Sequence, residues 1–241
     1  MYKTYEFATV CVGVQFNGEY ILKKCKGYET DKEPFFTLEI TEKDVEYEKQ
    51  LFIKERNGKC DFSYGYLEFI AFYRKFVEKA IDYGVVLFHG SAVAYKDRAY
   101  LYVAPSGTGK STHVRIIKTA FNDEAEYIND DKPLFKQNEK GEWYVYGSPW
   151  DGKHRLSNNV SKKLGAICIL ERGEQNSITR LSDTEAVLGI LLQSYRPTSE
   201  ESSIKYFNLI TSVLTYPVYR LKCNVSKEAG VLSITEMSKE Y

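Results

Sequence analysis

The chain lacks net charge, closely spaced cysteines and any apolar run long enough to cross a bilayer, and each absence removes a class of function. Basic and acidic residues balance at 33 each, with a pI near 6.8. No global basic field is present to draw nucleic acid, which is therefore not expected as a partner. The five cysteines, Cys11, Cys25, Cys60, Cys168 and Cys223, are odd in number, far apart and without a C-x-x-C pair. That pattern points to reduced, packed thiols rather than a disulfide frame or a zinc site. The opening MYKTYEFATV lacks a signal-peptide design. With no spanning segment, stable membrane insertion is not expected, and the expected location is cytoplasmic. Internal repeats and low-complexity stretches are also missing. What remains is 241 residues, 43% hydrophobic and 27% charged, a composition that suits a soluble globular chain with a sizeable core.

The stretch that organises the rest is RAYLYVAPSGTGKSTHVRIIKTAF, residues 98–121. Residues 98–103 are apolar and aromatic, as in a buried strand, and after the loop Val114, Ile117, Ala120 and Phe121 recur at helical spacing. Strand, glycine loop and helix, with Lys110 and Ser111 at the helix start, make a phosphate-binding P-loop in its proper context. Gly107 and Gly109 free the backbone to aim successive N–H groups at one anion, and the helix N-terminus adds its own unpaired donors. Lys110 brings a mobile charge for the terminal phosphates, and the Ser111 hydroxyl is placed for Mg²⁺. Ser106, Thr108 and Thr112 complete the expected phosphate cradle. The first loop position is Ala104 rather than glycine.

Two regions are expected, a β-rich lobe with one helix over residues 1–84 and a P-loop core over 85–241. In the first, 7–16 alternates like a strand, 20–22 reads as a return strand, and 34–40 and 50–53 extend the pattern. Residues 66–83 form an amphipathic helix, with Gly84 as its C-cap. In the second, strands are expected at 85–88, 92–95, 164–170 and 217–221. A hairpin is expected about Lys140-Gly141, linking 134–135 to 143–146, with helices over 182–195, 203–215 and at the C-terminus. The strand ending YINDDKP arrives about one βαβ repeat after the P-loop, where a second phosphate-side strand belongs.

Phosphoryl transfer needs more than a phosphate cradle: it needs a metal, a positioned nucleophile and charge neutralisation. Asp130 and Asp131, adjacent acids at a strand end, aim in different directions. One can accept the proton of an incoming hydroxyl, and the other can hold Mg²⁺. His89 lies just before the P-loop strand pair and is a candidate to orient an Asp, to sense protonation or to ligate a second metal. Lys153, Arg155, Arg172 and Arg196 are candidates to neutralise the transferring group, and each is equally an ordinary surface charge.

HGSAVAYKDRAYLYVAPSGTGKST followed by INDDKP resembles the nucleotide core of HPr kinase/phosphorylases and phosphoenolpyruvate carboxykinases. The resemblance is strong over residues 85–135. Through GSPWDGK and LGAICILERGE it reaches about residue 182, where it is closest to small bacterial proteins related to HPr kinase. It implies an α/β fold of mixed α+β character, with a P-loop core on a mixed sheet. It also implies phosphate and Mg²⁺ roles for Lys110 and Ser111, a hydroxyl-activating role for Asp130, a metal-associated role for Asp131, and a site role for His89, which in carboxykinases is a transition-metal ligand. None of the carboxykinase arginines that grip a carboxylate substrate has a match here, and the C-terminal region matches no HPr-binding segment.

The expected function is a nucleotide-dependent kinase. It uses ATP with Mg²⁺, or Mn²⁺ in its place, to phosphorylate a hydroxyl, foremost a serine of a small protein or peptide. A small-metabolite kinase and a non-catalytic ATP-binding regulatory subunit are the alternatives, and an oligomer is allowed. The intact acid pair favours catalysis, since a binding module has no need of it.

Overall fold

A computed structural model of the chain describes residues 1–239. The chain divides into two compact units, Met1–Tyr83 and Gly84–Tyr241.

In the first unit, β1 (Tyr2–Phe7) and β2 (Val10–Gln15) form an antiparallel hairpin. Its link, Ala8 and Thr9, has φ of 49° and 62°, the left-handed conformation that matches the twist of a two-residue hairpin. α1 (Glu19–Lys24) follows, then β3 (Phe36–Glu39) parallel to β2, α2 (Glu42–Glu55) and α3 (Tyr64–Ala80). The rings of Phe7, Phe72 and Phe76 meet at the centre, Phe7 lying 6.0 and 5.1 Å from the other two. Buried Glu68 accepts hydrogen bonds from the N–H groups of Asn17 and Gly18, at 2.6 and 3.0 Å, and fixes the entry to α1.

This unit corrects the expectation of a β-rich lobe. The return strand expected at 20–22 lies in α1, and the strand expected at 50–53 lies in α2. The physical reason is at the start of α2. Thr41 and Asp44 form a reciprocal capping box, and the Glu- and Lys-rich run behind it is made of straight-chain residues that lose little freedom in a helix. The strand expected at 7–16 is likewise two strands broken by the turn.

The second unit contains β4 (Val85–Leu87), β5 (Gly90–Tyr95), β6 (Arg98–Val103), α4 (Lys110–Phe121), β7 (Ala125–Asn129), β8 (Leu134–Gln137), β9 (Trp143–Tyr146), β10 (Ser161–Arg172), β11 (Ser177–Arg180), α5 (Asp183–Leu192), α6 (Glu200–Val213), β12 (Val218–Cys223) and α7 (Lys227–Met237). Among the described residues its strands form one mixed sheet in the order β4-β8-β9-β10-β6-β5-β7. The long β10 pairs antiparallel with β9 at its start and parallel with β12 along its second half, and β11 adds to β12. β6, β10 and β12 run parallel, and the remaining neighbours run antiparallel. The result is an α/β fold on a mixed sheet. β11 was not anticipated, and β10 extends beyond the expected 164–170 at both ends.

This topology builds the site. β5 is antiparallel to both β6 and β7, so β6 and β7 run parallel with β5 between them. β7 is thus one strand removed from β6, not its direct neighbour as a simple βαβ repeat would place it. The carboxyl ends of β6 and β7 and the start of β5 consequently share one edge of the sheet. The glycine loop, Asp130 and His89 are attached at those three points. α4 is held below by a core in which Val114 and Ile117 pack with Tyr100, Tyr102, Ile234 and Met237. Among the described residues, no helix is long and apolar enough to cross a membrane.

Candidate active site

Residues 104–109 turn the chain from β6 into α4 through Gly107 and Gly109, at φ of 79° and 119°. A Cβ at either would meet nothing within 4 Å, so glycine is needed there for the backbone angle, not for room. Gly109 is the N-cap of α4 and offers no side chain to the first-turn N–H groups. Those donors face the loop as an anion site would require.

Lys110 is 7% exposed. Its ammonium donates to the carbonyls of Ala104 at 2.8 Å and Pro105 at 3.4 Å. Burial weakens its hold on the proton, and the Lys132 charge works in the same direction while Asp131 opposes both. A second cation braces the loop from outside: Arg172, at the end of β10, donates to the carbonyls of Gly107 (2.5 Å) and Thr108 (3.3 Å).

The two acids differ. Asp130 is 3% exposed. One carboxylate oxygen accepts the Gly152 N–H at 2.8 Å, and the other is buried without a hydrogen-bond partner. Burial raises its pKa, Asp151 and Asp131 push the same way, and the Gly152 N–H and His154 only partly offset them. Asp131 moves in the opposite direction. Burial alone would raise it, but contact with His89 and the Lys132 ammonium brings it down to about 2. His89 Nε2 lies 3.3 Å from one Asp131 oxygen and Lys132 Nζ 2.8 Å from the other. One acid is thereby suited to take up a proton, and its neighbour remains charged.

Asn129 sets the angle between them. Its Oδ1 accepts the N–H groups of Asp131 (2.8 Å) and Lys132 (2.6 Å). Its amide donates to the Ser148 carbonyl at 3.0 Å and its hydroxyl at 3.1 Å. The Gly90 N–H donates to the Asp131 carbonyl at 3.0 Å, tying the start of β5 to the same turn. The Asp130 carbonyl accepts the hydroxyls of Ser91 at 3.1 Å and Ser111 at 3.4 Å.

These groups line a cleft of about 500 Å³. It gathers His89, Ser106, Gly107, Gly109, Lys110, Ser111, Thr112, Asp130 and Asp131, together with Gly152, Lys153 and His154. Thr108 lies instead on a second cleft across the loop. Of the four basic candidates, Lys153 lines the first cleft and Arg172 the second, whereas Arg155 and Arg196 line neither. Gly152, Asn129, Ser148, Lys132 and His154 escaped the sequence reading. The acid-rich YINDDKP and the turn-rich GSPWDGK were visible, but nothing local says that they meet.

The donor set fits Mg²⁺. The Ser111 hydroxyl and the ionised Asp131 are hard oxygen donors of the few-ligand kind that Mg²⁺ uses alongside substrate phosphates. Among the described residues no three His, Cys, Asp or Glu side chains gather as a metal site. Instead of belonging to such a cluster, His89 contacts Asp131.

No protein-family model matches the chain, and no curated protein matches it. Among solved structures it is similar to the Hpr(Ser) kinase/phosphatase from Coxiella burnetii, at 11% identity over 62% of this chain and 86% of that one, with a TM-score of 0.36. Likeness at that level is too slight to bear on the chemistry, which rests on the residues above.

Proposed function

We propose that the chain is an ATP-dependent phosphotransferase that moves the γ-phosphoryl group onto a hydroxyl, foremost a serine of a small protein or peptide. One observation carries this reading. An acid with a buried, unpartnered oxygen and a raised pKa shares a single cleft with the glycine loop, a buried lysine and a second acid whose lowered pKa keeps it ionised at neutral pH. A module that only binds nucleotide has no use for such an acid pair.

The loop N–H groups and Lys110 receive the β- and γ-phosphates, and Lys110 exchanges its carbonyl partners for phosphate oxygens. Ser111 and Asp131 would hold Mg²⁺, which when bound would neutralise phosphate charge. His89 and Lys132 keep Asp131 ionised and oriented. The acceptor oxygen attacks the γ-phosphorus, the bond to the β–γ bridging oxygen breaks, ADP departs, and the hydroxyl proton passes to Asp130. The sequence resemblance to HPr kinase/phosphorylases at Lys110, Ser111, Asp130 and Asp131 supports this division of labour and the choice of a seryl acceptor.

The test uses γ-labelled ATP and Mg²⁺ with the purified chain in a lysate of its source depleted of small molecules, wild type beside Lys110→Ala. The expected result is a labelled protein or peptide band that requires Lys110. If ATP binds and no band forms, the acceptor is a metabolite or the chain is a regulatory binder.

A further inference from the structure

Gly152 to Arg155 form a hydrogen-bonded turn, in which the Arg155 N–H donates to the Gly152 carbonyl at 3.0 Å. The first N–H of the turn holds Asp130. Its two central residues, Lys153 and His154, stand at the tip. Both are exposed, and both line the cleft that contains Asp130. Arg155 follows and is exposed as well. Three basic side chains therefore stand in a row on the turn that positions the proton acceptor. Among the described residues none of the three forms a hydrogen bond or ion pair through its side chain. The other basic groups of the site are engaged: Lys110 on the loop carbonyls, and His89 and Lys132 on Asp131. Asp151, the acid next to the turn, does not line the cleft.

Exposure separates two uses for these cations. Neutralising a transferring phosphoryl group calls for a charge held out of water, as Lys110 is at 7% exposure. Cations at an exposed rim are screened by solvent and salt, and they act on encounter and on the choice of partner. The direction of attack says which partner that is. The glycine loop takes the phosphates on one wall of the cleft, and the attacking oxygen lies in line with the leaving one. The acceptor hydroxyl then enters from the other wall, past Asp130 and the turn attached to it.

We propose that Lys153, His154 and Arg155 select the acceptor by charge, and that the acceptor is an acidic peptide segment whose serine is flanked by Asp or Glu. This rests on the reading of the cleft as a kinase site with a seryl acceptor, and it names the sequence around that serine. The flanking carboxylates meet the turn while the hydroxyl reaches Asp130. A segment with lysines in those places meets like charge and is turned away.

The test uses three short peptides, alike except that the residues on both sides of a central serine are Glu, Gln or Lys. Each is assayed with the full chain, γ-labelled ATP and Mg²⁺, and Mg-ATP binding is followed by calorimetry in the same preparations. The wild type is expected to show a KM about tenfold lower for the Glu peptide than for the Lys peptide, since each exposed pair contributes a few-fold. Added salt should shrink that preference. Lys153→Glu/Arg155→Glu should reverse the order of the peptides, a result that loss of structure would not give. Lys153→Gln should raise KM for the Glu peptide about three- to fivefold and leave ATP affinity within about twofold. Equal KM values for the three peptides, or a preference for Lys, would overturn the acidic acceptor and leave the kinase reading standing. A Lys153→Gln variant with lower kcat or weaker ATP binding and an unchanged peptide KM would overturn it too, by assigning the charge to the phosphates. If ATP binds and none of the peptides is labelled, the seryl peptide acceptor falls, and this inference falls with it.

Discussion

Lys110 and His113 lie one turn apart on α4, both are buried, and burial weakens the hold of both on a proton. Their surroundings differ. His113 faces the core, where its Nε2 meets the Ser233 hydroxyl at 3.0 Å, and that hydroxyl meets Tyr102 at 2.9 Å and donates to the Gly230 carbonyl at 2.9 Å. Every group in that chain is neutral and partnered, and burial takes the His113 pKa down to about 4. Lys110 faces the cleft and holds only carbonyls of its own loop, and the same cleft is lined by Asp130, one oxygen of which has no partner. Around His113 the polar groups are settled internally, as stability requires. One turn earlier, where α4 begins at the cleft, charges are left incompletely paired, and unsatisfied charge in a cleft is capacity for a ligand.

Substitutions should therefore separate the two environments. The largest effect is expected from Lys110→Ala. Phosphoryl transfer, followed with γ-labelled ATP, should fall about 10³-fold or more, while the thermal midpoint stays level or rises because a desolvated charge is gone. A collapse in stability would show that Lys110 belongs with the core side.

His113 should give the converse result. Its pKa is depressed on folding, from the usual 6.5 to about 4, so its contribution is complete above pH 6.5 and is lost as pH falls toward 4. Over that window the term amounts to about 3 kcal/mol. Urea unfolding at pH 7 and pH 4 should show the wild type losing more stability than His113→Gln by about that amount. Equal losses would mean that the imidazole is not held neutral.

Arg172→Gln removes the outer brace of the glycine loop and should weaken Mg-ATP binding about tenfold, read by calorimetry. Unchanged affinity would mean that Gly107 and Gly109 hold the loop unaided. The smallest effect is expected from Gly152→Ala. A Cβ there would sit 3.0–3.2 Å from the Asp130 carboxylate atoms, displacing the acid slightly and reducing kcat about three- to tenfold with ATP affinity unchanged. A change in affinity alone would place Asp130 in binding and not in proton transfer.

The core-facing side of this comparison was largely visible in the sequence. Val114 and Ile117 recur at helical spacing, the strand from Arg98 to Val103 is a largely apolar run, and Lys140-Gly141 marks the hairpin of β8 and β9. So were the loop glycines and the acid pair, which local chemistry identifies. The bonds that hold Asp130 and brace the glycine loop were not visible. Asp130 meets Gly152 across 22 residues and Arg172 meets Gly107 across 65. Each is a single long-range bond made by an ordinary residue, with no periodicity to announce it. The helix α2 is hard to read for a different reason. Its weakly apolar surface gives little helical periodicity, and the Thr41–Asp44 cap is its better signal.

The most direct test of the account is Asp130→Asn, assayed in one preparation for Mg-ATP binding and for transfer of the labelled γ-phosphoryl group. Asparagine keeps the shape and an oxygen for the Gly152 N–H but cannot take a proton. ATP affinity is expected within about threefold of wild type and transfer reduced about 10²–10⁴-fold. Transfer persisting at the wild-type rate would contradict Asp130 as the acceptor of the hydroxyl proton.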